Sequence, residues 1–238
     1  MMIRRRLAVV CVTLGTLVAS GSGARQEQFS GVQPELVQQL QAAKNDLAAG
    51  NFNLAQARMD MITPGASRQI EIYVQFDGAS DDAKWRSNEA LARGAKLWEQ
   101  ALHEHPFHVC DSPNRADVII TFRQEVFDHG SPAGGYVTWR RQVDENSWTA
   151  ATKANIDVRT ERPDGGPMSA DLMTHEVAHE LGHVLGLLDC PASGQVMSPL
   201  DLNHPLEAIA LPSIDGLVRL RRAAQECRAL AMVNTPRR

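Results

Sequence analysis

The sequence predicts an α+β sandwich, and three observations carry that prediction. Short alternating apolar segments cluster between residues 70 and 158, helical spacing dominates residues 34–62 and the chain beyond 170, and one helical stretch separates the first two strands. With 238 residues, 43% of them hydrophobic, the chain has material for one good-sized domain or two small ones, and global disorder is excluded as an expectation.

The first element reads as a leader. Arg4, Arg5 and Arg6 precede an apolar run from Leu7 to Ala19 and a small-residue tail ending at Ala24, the layout of a secretory signal peptide over residues 1–24. The run, about thirteen residues, falls short of the roughly 20 needed to cross a bilayer, so no stable membrane insertion is expected once the leader is removed. A secreted or periplasmic location follows. Cleavage takes away three arginines and no acid, which moves the net charge from −4 to about −7. That balance offers no positive excess for phosphates, so nucleic acid is not an expected partner. Three cysteines remain, Cys110, Cys190 and Cys227, and in an exported chain one disulfide plus one leftover thiol is expected, with all three pairings open.

Residues 25–66 are expected to hold a helical hairpin. Leu36, Leu40, Ala43 and Leu47 step by three and four, Gly50-Asn51 breaks the run, and Leu54, Ala57 and Met61 resume it. A pro-segment, a packing accessory and a binding module are the three roles open to it. After Thr63-Pro64-Gly65, residues 70–76 alternate as a strand, 88–102 read as a helix, and 116–122, 134–139 and 154–158 read as further strands. Helical spacing returns at Ala170 and again near Ser213, which is placed to cap a helix carrying Ile214, Leu217, Val218, Leu220 and Ala224.

The chemistry concentrates in His175-Glu-Val-Ala-His179-Glu180-Leu-Gly-His183-Val-Leu-Gly186-Leu-Leu-Asp189. Helical residues four apart lie about 40° apart around the axis and about 6 Å along it, so two such histidines can offer imidazole nitrogens to one metal ion. His175, Glu176, His179, Glu180 and His183 share one side, expected to be wet, and the apolar residues share the other, expected to face the core. Two registers of His-Glu-x-x-His overlap. In the first, His175 and His179 would ligate, but Leu185 stands ten residues on and a later carboxylate such as Asp201 would be needed. In the second, His179 and His183 are followed by Gly186, which can end the helix in a left-handed turn, and by Asp189 as third ligand. His175 is then a neighbour of the site or a solvated helix residue. Three protein ligands leave one position open, a catalytic rather than structural arrangement, and Glu180 is placed to act as general base.

This segment resembles the zinc helix of the metzincin metalloproteases, and of their matrixin branch, in the variant with aspartate as third ligand. Val196-Met197-Ser198-Pro199 is similar to that family's Met-turn, with Met197 as the methionine beneath the metal. The likeness covers roughly residues 67 to 230 and implies a metzincin-like zincin domain over 67–238: a twisted, mostly parallel small sheet with an active-site helix and a C-terminal helix. It implies one catalytic Zn2+, a protein or peptide substrate, and zinc-dependent endopeptidase activity using a zinc-activated water. Residues 134–139 resemble the substrate-binding edge strand, with Gly135, Tyr136 and Val137 as substrate-binding candidates and the two glycines permitting close backbone approach. Residues 198–212 resemble the wall of the main specificity pocket, which implies apolar side chains. Residues 25–66 hold no cysteine for a thiolate latch, no tyrosine follows Met197, and His129 alone near the edge strand argues against a second, structural zinc. Nothing in the sequence decides for or against calcium. An exported interaction protein, recruiting a partner through the hairpin and carrying a structural or silent metal site, is the competing expectation.

Overall fold

The computed structural model describes residues 28–65, 68–191, 194–200, 202 and 209–234. The leader expected at 1–24 lies outside the described residues, as do Asp201 and residues 203–208 of the apolar loop. None of the described helices is long and apolar enough to cross a membrane.

Helix α1 (Pro34–Ala48) opens on a proline, whose fixed φ and missing N–H suit a first turn, and buries Leu36, Leu40 and Ala43. Gly50 turns the chain at φ 78°, a conformation costly for any residue with a side chain. Helix α2 (Phe52–Ile62) returns with Ala55, Ala57, Met59, Met61 and Ile62 buried. The expected hairpin therefore forms, and its apolar residues belong to the same core as the sheet and the later helices. Arg58 on α2 adds a polar tie, reaching Asp46, Gln39 and Glu145 at 2.7, 2.9 and 3.2 Å.

The remaining elements in chain order are β1 (Ile70–Asp77), α3 (Asp81–Leu102), β2 (Phe107–Val109), β3 (Val118–Arg123), β4 (Phe127–Asp128), β5 (Ser131–Pro132), β6 (Gly135–Asp144), β7 (Thr149–Arg159), α4 (Ala170–Leu185) and α5 (Asp215–Asn234). Five strands form one sheet in the order β2-β1-β3-β7-β6, and β4 and β5 form a separate two-stranded ribbon. Within the five-stranded sheet all pairings are parallel except that of β6, which runs antiparallel to β7, and the β4–β5 ribbon is antiparallel. The architecture is α+β with a mostly parallel sheet. Ile72, Val118, Ile120, Phe122, Ile156 and Val158 are fully buried on one face, whereas the other carries Gln75 bonded to Thr121 and Arg123 paired with Asp157.

Several elements exceed their expected bounds, for physical reasons. Helix α3 begins at Asp81, because Ser80 accepts a hydrogen bond from the Ala83 N–H and two aspartates sit in the first turn. Strand β6 runs on to Asp144, where the aspartate side chain accepts from the N–H groups of Asn146 and Ser147 and turns the chain into β7. Helix α5 continues to Asn234 and buries Leu217, Leu220, Ala224 and Ala231. The expected disulfide does not form: Cys110, Cys190 and Cys227 are all free thiols. They stand in three separate places, just past β2, in the loop after α4, and within α5.

Candidate metal centre

Helix α4 carries the motif. Ser169 caps it by accepting from the Leu172 N–H, and Thr174, Val177, Ala178 and Leu181 lie buried along it. Helix α3 packs against α4 closely enough that a Cβ at Gly94 would stand 3.0 Å from Val177 and 3.2 Å from the Ala178 nitrogen. The indole of the fully buried Trp98 donates to the Ala178 carbonyl at 2.8 Å. The motif helix is thereby fixed against α3 at its middle.

Its end is closed as the sequence predicts. Gly186 adopts φ 104°, its N–H bonds to the His183 carbonyl and the Leu187 N–H to that of Gly182, the two bonds of a Schellman closure. The chain then turns back, and Asp189 Oδ1 comes to 3.2 Å from His179 Nε2 and 3.3 Å from His183 Nε2, with the two Nε2 atoms 3.1 Å apart. Atoms about 2.0 Å from a tetrahedral zinc would lie roughly 3.3 Å from one another. The observed triangle has that size.

The tautomers fit as well. His179 Nδ1 faces the Val196 carbonyl and His183 Nδ1 the Leu187 carbonyl, both at 2.9 Å. An imidazole donating from Nδ1 keeps a lone pair on Nε2, so both Nε2 atoms and a carboxylate oxygen point their lone pairs at one spot. Three such atoms repel one another unless a cation lies between them. Burial also holds His183 below the ordinary imidazole value, which favours the neutral, ligating form. His179, His183 and Asp189 are the one group of three His, Cys, Asp or Glu side chains among the described residues with this metal-holding geometry. A scan of protein-family models and a search of curated proteins both return no match to this chain.

Glu180 follows the first ligand and is 4% exposed. Burial pushes its carboxyl well above the ordinary carboxylate range, and the negative charges of Glu176, Asp189 and Asp128 push the same way. The motif side of α4 is therefore not wet: His175, Glu176 and Glu180 are all buried. The start of strand β6 covers the two glutamates. A Cβ at Gly134 would run into the Glu176 carboxyl, and one at Gly135 would lie 2.6 Å from Glu180 Oε1. The paired glycines thus let the edge strand approach the two glutamates. Of the other substrate-binding candidates, Tyr136 is exposed and Val137 is buried opposite Ile156. No strand pairs with the outer side of β6 among the described residues.

Met197 packs against the helix at Gly182, where a Cβ would collide with its sulfur. The turn that carries it closes from the Ser198 N–H to the Gln195 carbonyl, and the Met197 carbonyl accepts from the Cys190 N–H at 2.6 Å. His175 stays outside the triangle as a buried neighbour, its Nε2 3.2 Å from the Gln195 carbonyl and its ring stacked on His179. His129 sits exposed in the turn of the β4–β5 ribbon, 3.7 Å from Asp128.

Two residues unmarked by the motif also hold the site. Arg141 on β6 is buried and donates to the His183 and Val184 carbonyls at 3.1 and 3.2 Å, a cation at the C-terminal end of α4. Gln33, before α1, donates to the His183 and Leu187 carbonyls. Both reach α4 from distant parts of the chain, where no local spacing signals them.

Proposed function

We propose that this chain is an exported zinc-dependent endopeptidase of metzincin type, close to the matrixin branch, with His179, His183 and Asp189 holding one Zn2+ and Glu180 as general base. The observation that carries the reading is the triangle of two Nε2 atoms and one Oδ1, with both Nδ1 positions already committed to carbonyls. Cys and Met ligands are absent from it, and the nitrogen and oxygen donor set suits zinc. Bound zinc supplies Lewis acidity for activating water and polarising a peptide carbonyl.

The chain's own residues do the rest. Glu180 Oε1, held at the start of the edge strand, takes a proton from the attacking water and returns it to the leaving amine. Strand β6 offers its unpaired outer edge to an extended peptide, whose backbone hydrogen bonds to it position the scissile bond. Trp139, on the α4-facing side of β6 and 38% exposed, forms an aromatic wall beside His183. The hairpin's apolar residues are committed to the core, which supports a packing accessory over a recruiting module.

The test is direct. Purified protein should bind about one zinc per chain and cleave an unfolded protein substrate in a chelator-sensitive way. Glu180→Ala should retain zinc and lose about 10²- to 10⁴-fold in cleavage rate. A variant that stays fully active would remove Glu180 from the mechanism.

A further inference from the structure

We infer that Gln33 is a positioning residue for the metal ligands His183 and Asp189, so that the segment Gly31–Gln33 is a working part of the metal centre. The inference rests on the reading that His179, His183 and Asp189 hold zinc.

From the end of α4 at Leu185 to the third ligand the chain is only Gly186-Leu187-Leu188, and the N-terminal segment pairs with all of it. The Gln33 N–H bonds to the Gly186 carbonyl at 2.8 Å, the Leu188 N–H bonds to the Gly31 carbonyl at 2.9 Å, and Val32 and Leu187 face each other as an antiparallel bridge. Asp189 itself is two-thirds exposed, and among the described residues its side chain pairs with the two histidines alone. Its position therefore depends on the backbone on either side, the Cys190 N–H tied to the Met197 carbonyl after it and the segment paired with Gly31–Gln33 before it.

The Gln33 side chain goes further. It is 4% exposed, and all its hydrogen-bonding groups are engaged. The two Nε2 hydrogens go to the His183 carbonyl at 3.0 Å and the Leu187 carbonyl at 3.1 Å, while Oε1 accepts from Arg141 at 2.6 Å. The Leu187 carbonyl is the same one that His183 Nδ1 faces. Gln33 thus holds the acceptor that sets the tautomer and orientation of a ligand, and partners of this kind typically change metal affinity 10- to 100-fold when removed. A segment that merely masked the site would face the triangle; this one supports it from behind.

Zinc affinity, measured on the full chain by competition with a chromogenic chelator, separates the alternatives. Gln33→Ala and Gln33→Glu, which lose both donations from Nε2, should weaken zinc binding about 10- to 100-fold and change the visible spectrum of the cobalt-substituted protein. Arg58→Ala, which loosens the same hairpin away from Gln33, should leave affinity within about twofold. Linkage is reciprocal, so zinc added to the unaltered chain should slow amide exchange at Gln33 and Leu188 about tenfold more than at Met59 in α2. Unchanged affinity in both Gln33 variants, or equal slowing at the three amides, overturns the inference while the metal reading stands. Should neither variant fold, the exchange measurement on the unaltered chain decides. Absence of zinc binding by the unaltered chain, or full affinity in His183→Ala, overturns the metal reading itself.

Discussion

The indole of Trp139 lies over the imidazole of His183, with ring centroids 5.9 Å apart and planes 20° from parallel. The Arg141 guanidinium stands 5.7 Å from the centre of the same indole. Gly135, Val137, Trp139 and Arg141 share one side of β6. The edge strand therefore touches α4 from Glu180 at one end of the motif to the His183 carbonyl at the other.

Removing that indole should loosen a ligand ring. An aromatic stack contributes about 0.5–1.5 kcal/mol beyond area burial. Trp139→Ala is expected to weaken zinc binding about two- to tenfold, and Trp139→Phe to recover most of it, by chelator competition. Equal affinity in all three proteins would mean that the stack leaves the ligand's orientation untouched.

Asp189 separates metal binding from folding. Its side chain is 67% exposed and among the described residues pairs with the two histidines alone, so its loss deprives the metal of a ligand but the fold of little. Asp189→Ala should lower zinc affinity by at least about 100-fold, while the metal-free protein keeps its unfolding free energy, measured in urea, to within about 0.5 kcal/mol. A large fall in metal-free stability would assign Asp189 a structural role instead.

What the sequence reveals of this site is what lies close together along the chain. His179, Glu180, His183, Gly186 and Asp189 fall within one helix and its closing turn, where spacing alone determines geometry. Gln33 and Arg141 bond to the His183 carbonyl from 150 and 42 residues away, and no periodicity encodes such a meeting. Burial of Glu176 and Glu180 escapes helical spacing for a related reason: the wheel marks them as polar, but Gly134 and Gly135 bring a strand down onto them. Strand extensions such as Arg140–Asp144 are hidden by their polar composition, because Arg141 is buried through its bonds to carbonyls rather than through apolar character.

Gly182 is where α4, Trp98 and Met197 meet without room for a methyl group. A Cβ there would lie 2.9 Å from Trp98 Cζ2 and collide with the Met197 sulfur. Overpacking of this kind typically costs about 1–3 kcal/mol. Gly182→Ala is expected to lose that much in urea denaturation and, by displacing the turn that carries Val196, to weaken zinc binding as well. Gly194→Ala, at a positive-φ turn with open space around it, should show the strain without the loss of affinity.

Asp117 sets an acid limit on the fold. It is buried at the start of β3, accepts two hydrogen bonds from Arg68 and one from the Glu71 N–H, and lies 3.5 Å from Lys153. Burial alone would raise its carboxyl, but the hydrogen bonds and the positive charges of Arg68 and Lys153 outweigh it and hold the carboxyl below the ordinary range. A carboxyl whose folded-state value is depressed contributes stability above its unfolded value, about 3.9, and that contribution is lost as pH falls through the lower folded value. The chain should therefore lose stability progressively below about pH 4. Asp117→Asn should cost about 1–2 kcal/mol at neutral pH and flatten this acid limb, as measured by urea unfolding from pH 7 to pH 3. An unchanged slope in the variant would show that other carboxylates govern acid unfolding, since Asp117 is the group whose bonds tie Glu71 of β1 to the start of β3 and to Lys153 of β7.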